Sequence, residues 1–317
     1  MTNSSPIAFL FPGQGSQFVG MGKELAANYE VARKTFAEAD EALGYKLSDL
    51  CFEGPEEKLK LTEITQPAIL TASVAAWRVL KEKGLKPDYV AGHSLGEYSA
   101  HVAAGTLSFA DAVRTVRNRG KYMQEAVPLG VGAMAAILGM ALDRVTQIAS
   151  EAAHGEVCQA ANINSPEQIV ISGNASAVAR AVQLATERGA KKAVSLPVSA
   201  PFHCALMQPA QDRLASELRE LTFRDPSFPV ICNVDADAVP SAEAARDALV
   251  RQVTGAVRWD QSMRKLIEMG ASLFIEVGPG KVLWGLMRQI DRSKTCLTVG
   301  DETSLQKTLA QVPAAVL

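Results

Sequence analysis

Cysteine is scarce in this chain: five residues, an odd number, with no C-x-x-C pair. That excludes a disulfide framework and a zinc ribbon. Histidine is scarcer still, with four in 317 residues, so any chemistry that needs an imidazole has few candidates. Charge of one sign is also missing. A net charge of −2 supplies no field for nucleic acid or an anionic membrane surface. Long apolar runs are absent, and the longest, "VGAMAAILGMAL", falls short of a membrane span. The first residues, "MTNSSPIAFLFPG", have no basic segment and too short an apolar stretch for a signal peptide. Repeats and low-complexity tracts are lacking too. What remains is an ordinary globular composition, 48% hydrophobic and 21% charged, long enough to bury a sizeable core. The expectation is a protein of a reducing, cytoplasmic compartment with neither membrane nor nucleic acid as partner.

Strand and helix signals alternate along the chain. "IAFLF" reads as a buried strand ending in the turn "PGQGSQ". A helical pattern runs from about Gly22 to Leu43, and "TQPAILTASVAAWRVLKEKG" reads as a helix closed by Gly84. "DYVAG" and "SLFIEVGPG" are strands leading into glycine turns, each followed by a helix. Such alternation predicts a mostly parallel sheet covered on both faces. From about Pro128 to Val198 the order changes to β-α-β-β-α-β, with Asn174 as a helix N-cap and "AKKAVSLPV" as the last strand. The fold class predicted is α/β: a hydrolase-like core over 1–127 and 199–317, with a ferredoxin-like subdomain inserted at 128–198.

The stretch "VAGHSLGEYSAHVAAG" carries the pattern G-x-S-x-G around Ser94. A strand before it and a helix after it would force the serine onto a sharp turn with its hydroxyl exposed. Gly92 and Gly96 remove side chains that would collide where strand and helix pack closely. The helix begins at Leu95, so unpaired backbone N–H groups would face a developing oxyanion. A serine nucleophile needs a base. His93 adjoins the serine on so tight a turn that it should point elsewhere. His101 lies about 10 Å along the helix at about 1.5 Å per residue. His154 falls in a turn of the insertion. His203, in "LPVSAPFHCALM", follows a strand that returns to the core and can reach the carboxyl edge of the sheet. It is the best base by elimination. No acidic residue between Ser94 and His203 is well placed as a third member: Asp111 opens a helix and Asp143 belongs to the insertion.

Seven stretches in order, "FPGQGSQ", "TQPA", "GHSLGEYSA", "RGKYMQEAV", "GAMAAI", "PVSAPFH" and "EVGPGKVL", resemble the malonyl-CoA:acyl carrier protein transacylases of bacterial fatty acid synthesis. They extend over nearly the whole chain. The resemblance implies that Ser94 takes the malonyl group from coenzyme A as an ester, with His203 as base. His203 then activates the phosphopantetheine thiol of acyl carrier protein. In "LVRQVTG" it implies a backbone carbonyl of Gln252 as the group that orients the histidine, which accounts for the missing acid. Backbone N–H groups of Gln14 and Leu95 would form the oxyanion hole. Three arginines stand in "RTVRNRGKYM", and only the resemblance selects Arg119 over Arg114 and Arg117 as partner of the malonyl carboxylate. Phe202 matches a position associated with malonyl preference. Gln66, Met123 and Asn162 match positions near the family's pocket. The implied substrate is a coenzyme A thioester, with no permanently bound cofactor and no metal. Arg188, Lys191 and Lys192 of "ERGAKKAV" offer a basic patch for an acidic carrier protein.

Overall fold

The computed structural model describes residues 6–198 and 200–312. Ser199, which adjoins the expected end of the insertion, lies outside the described residues. The described residues hold two sheets. The larger contains β1 (Ile7–Phe11), β2 (Tyr89–Gly92), β7 (Val230–Ile231), β8 (Leu273–Val277) and β9 (Thr295–Val299). The smaller contains β3 (Gly132–Leu138), β4 (Cys158–Ser165), β5 (Gln168–Asn174) and β6 (Lys192–Ser195).

The larger sheet has the order β7-β2-β1-β8-β9, and every pairing in it is parallel. Parallel strands are covered on both faces, so they read as continuous apolar runs rather than alternating ones. All five residues of β1 are buried. The chain leaves β1 toward β2 on one side and later returns through β8 on the other. The strand order thus reverses at β1, and the crevice beyond the carboxyl ends of its strands is the favoured ligand site of an open α/β sheet. Both turns singled out in the sequence open there: Pro12–Gln17 follows β1 and His93–Leu95 follows β2.

The smaller sheet is antiparallel, with the order β4-β5-β3-β6 and helices Leu142–Ala153 and Ala175–Glu187 in the crossovers. Ala135 and Ile137 of β3 pack with these helices, while Met134 joins the main core. The alternation of a two-sided strand explains the split. β4 is tied to the core segment before the helix Trp259–Glu268 by the Ile163 N–H donating to the Val257 carbonyl at 2.8 Å.

Three local expectations are corrected. The helix from Gly22 to Leu43 is broken into Lys23–Asn28 and Glu30–Leu43, with Tyr29 extended between them. The Tyr29 hydroxyl donates to Glu302 at 3.1 Å, a tertiary contact that no local periodicity reveals. The last strand of the insertion is only Lys192–Ser195. Asn174 stands at a helix N-cap, but its side chain accepts from the Val157 N–H instead of capping the helix.

Candidate active site

Ser94 sits between β2 and the helix Gly96–Ala103 with φ +51°, in the left-handed region that costs a non-glycine residue free energy. Its surroundings hold it there. The Ser94 N–H donates to Asn233 Oδ1 at 2.7 Å, and Asn233 Nδ2 donates to the Gly92 carbonyl at 2.7 Å. A Cβ on Gly92 would fall 1.9 Å from the Gly96 carbonyl, and one on Gly96 would fall 2.0 Å from the Phe11 oxygen. Both glycines are therefore required for strand and helix to pass this closely.

His203 also has a positive φ, +60°, and is buried. Its Nε2 lies 2.7 Å from Ser94 Oγ. Its Nδ1 faces two carbonyls, Gln252 at 2.9 Å and Gly255 at 3.2 Å. Carbonyls only accept, so Nδ1 carries the proton and the Nε2 lone pair is left facing Ser94 Oγ. The other histidines do not reach Ser94 Oγ. His93 lines the same cavity, but its Nε2 is 2.8 Å from Asn164 Oδ1. His101 is fully buried with no hydrogen-bond partner among the described residues, and His154 is an exposed helix C-cap.

Burial pushes the His203 imidazole down to about 3, and the nearby Arg119 cation pushes the same way. Protonation would occupy the Nε2 lone pair that faces Ser94 Oγ, so depression moves that loss to lower pH. Acylation of Ser94, followed by quenched flow, is expected to hold its rate from about pH 7 to about pH 5. No limb should occur near the ordinary histidine value of about 6.5. A limb centred there would contradict this electrostatic picture.

Arg119 is 1% exposed and reaches the same point. It donates to Gln66 Oε1 at 2.8 Å, to Gln252 Oε1 at 2.9 Å and to Ser94 Oγ at 3.1 Å. Its Nε has no partner, and no carboxylate lies within ion-pair distance of it among the described residues. Arg114 pairs instead with Asp111 at the surface, and Arg117 stacks over Tyr45. The helix Phe109–Glu125 thus turns one of its three arginines inward.

The cavity over these groups is about 130 Å³, lined also by Gln14, Leu95, Gln66, Met123, Asn162 and Phe202. Of the site residues expected from the sequence, all but Gln252 line it; Gln252 lies behind, its carbonyl on His203 and its amide on Arg119. The N–H groups of Gln14 and Leu95 have no intramolecular acceptor among the described residues. Gln14 is held close because Gly13 packs where a Cβ would meet the His93 oxygen at 2.4 Å. The basic patch of the insertion is different. Arg188 pairs with Glu151 at 2.6 Å and Lys191 with Glu167 at 2.9 Å, so acidic neighbours cancel much of its charge.

The acyl transferase domain family matches residues 8–311. The chain is 51% identical over 303 residues to the malonyl CoA-acyl carrier protein transacylase of Bacillus subtilis, covering 95% of this chain and 96% of that one. The chain belongs to that family. It is an acyltransferase. The malonyl CoA-acyl carrier protein transacylase of Salmonella typhimurium is 52% identical over 305 residues, covering 96% of this chain and 99% of that one. The Coxiella burnetii transacylase structure superposes with a TM-score of 0.95 at 45% identity, covering 97% of this chain and 98% of that one. A second structure, a type II PKS acyl-carrier protein in complex with its malonyl-transacylase, gives 0.94 at 49% identity, covering 96% and 99%.

Three groups that build this site escape a reading of the sequence: the side chains of Glu97, Asn233 and Gln252. For Glu97 a signal exists, because an acid inside an apolar helix is seldom fully buried without a partner. Burial pushes its carboxyl up to about 7, against the hydrogen bonds from Gln252 and Asn233. Asn233 carries no comparable signal; it lies 139 residues from the serine it holds.

Proposed function

We propose that this transacylase moves malonyl from malonyl-CoA to the phosphopantetheine thiol of acyl carrier protein through a malonyl ester on Ser94. His203 Nε2 takes the hydroxyl proton as Ser94 Oγ attacks the thioester carbonyl. The N–H groups of Gln14 and Leu95 receive the oxyanion. Collapse breaks the C–S bond, and the coenzyme A thiolate leaves with the proton from His203. In the second half the carrier thiol gives its proton to His203 and attacks the ester. Ser94 leaves and takes that proton back. A thiol loses its proton near pH 8.5, far more easily than water, so it suits a base that no carboxylate strengthens. The Gln252 carbonyl, accepting from Nδ1, orients the imidazole without adding charge.

The observation that carries the malonyl assignment is Arg119. A buried guanidinium with an unpartnered Nε, touching the nucleophile, calls for an anion on the acyl group. Gln66 and Gln252 hold it in place, and Met123, Asn162 and Phe202 shape the walls. No cofactor or metal is assigned a step. We read residues 1–127 and 199–317 as a hydrolase-like core, residues 128–198 as a ferredoxin-like insertion, and the cytoplasm as the working compartment. The expected test result is a burst of about one coenzyme A per enzyme on mixing with malonyl-CoA, little free malonate, and further release only when holo carrier protein is added. Steady malonate release at the turnover rate would mark a hydrolase instead.

A further inference from the structure

Glu97 has no part in the steps above, yet it lies under all of them. It is fully buried in the helix that starts behind Ser94. One carboxyl oxygen, Oε2, accepts from the Asn233 N–H at 2.9 Å and from Gln252 Nε2 at 2.8 Å. Each partner supports the reacting groups. The Asn233 side chain holds the Ser94 N–H and the Gly92 carbonyl. Gln252 Nε2 also donates to the Ser94 carbonyl at 2.9 Å, its Oε1 accepts from Arg119, and its backbone carbonyl accepts from His203. The carboxyl therefore joins the Asn233 loop and the end of the helix Ala242–Arg251 to the serine turn.

We propose that Glu97 is a positioning residue that sets the Asn233 loop and the Gln252 amide, and through them Ser94, Arg119 and His203. Without it, the buried Asn233 N–H loses its acceptor. The Gln252 amide loses one of two partners that decide which end faces Arg119. The left-handed Ser94 and His203 conformations persist only while the surroundings over-determine them. The role asks for an oxygen at the right reach rather than for charge. Oε1 has no hydrogen-bond partner among the described residues, and His101 Nε2 lies 4.0 Å from it. A carboxyl protonated on Oε1, or an amide, presents the same oxygen to both donors.

This inference rests on the Ser94–His203 reading, so the experiment checks that first. Phenylmethylsulfonyl fluoride is neutral and makes no use of the malonyl site. The Ser94 oxygen bonds to its sulfur, fluoride leaves, and His203 takes the hydroxyl proton. Wild-type labelling at Ser94, absent in Ser94→Ala, supports the parent reading; labelling elsewhere alone overturns it. Glu97→Ala is expected to slow both sulfonylation, which makes no use of Arg119's anion site, and kcat of malonyl acylation by at least about tenfold. Glu97→Gln should recover both rates to within about threefold, while Glu97→Asp, one methylene short, should fall below it. Wild-type rates in folded Glu97→Ala, a loss confined to KM, or Glu97→Asp outperforming Glu97→Gln would each overturn the proposal. If Glu97→Ala does not fold, the order of the other two variants decides.

Discussion

His203→Ala is expected to slow acylation of Ser94 by about a hundredfold to ten-thousandfold, the usual worth of a positioned general base. The geometry sets this size. Nε2 is 2.7 Å from Ser94 Oγ, and no other imidazole is within reach of that oxygen. The remaining contact to Oγ, from Arg119 at 3.1 Å, is a donor and cannot take a proton. Rapid quench with malonyl-CoA, with circular dichroism as the check on folding, measures the effect. A loss under about tenfold in a folded variant would mean that another group takes the proton.

Arg119→Ala is expected to act on selectivity. Malonyl-CoA differs from acetyl-CoA by a carboxylate, and a buried site must compensate that charge as it loses water. Removing one partner of a buried charge pair costs about 2–5 kcal/mol. At about 1.4 kcal/mol per decade, that is roughly thirtyfold to several-thousandfold in kcat/KM for malonyl-CoA. Acetyl-CoA should lose little or improve. Arg119→Lys should fall between, since an ammonium supplies charge without the planar fork. Arg117→Ala is the control, because Arg117 stacks over Tyr45 instead of entering the cavity. A parallel loss for both donors would assign Arg119 to the fold or to the coenzyme A moiety.

The features of the fold and site that are legible in the sequence share a physical property: they are local. Ser94 announces itself because the glycines at 92 and 96 are dictated by contacts within a few residues of the turn and by β1 beneath it. The parallel sheet is visible in apolar runs such as "IAFLF", where burial on both faces leaves no alternation. His203 could be found because only four histidines compete and this one stands where the chain returns from the insertion to the core. Arg119 marks where local reasoning stops. Three arginines share one helix, and which of them turns inward depends on Gln66 and Gln252, far away in the chain. The break at Tyr29 and the support given by Asn233 fail for the same reason, since each is fixed by a partner more than a hundred residues distant. Family resemblance supplied the arginine and the Gln252 carbonyl; it did not supply the Gln252 amide or Glu97, which act inside the structure rather than on substrate.

The proposed reaction turns on a covalent malonyl group on Ser94 that passes to a thiol. Intact mass spectrometry of the enzyme mixed with malonyl-CoA, then with holo acyl carrier protein, tests it most directly. The expected result is one malonyl adduct per chain, mapped by peptide fragmentation to Ser94, absent in Ser94→Ala, and transferred to the carrier protein when that is added. An adduct on Cys204 or any other residue, or malonyl carrier protein formed at the wild-type rate by Ser94→Ala, would contradict it.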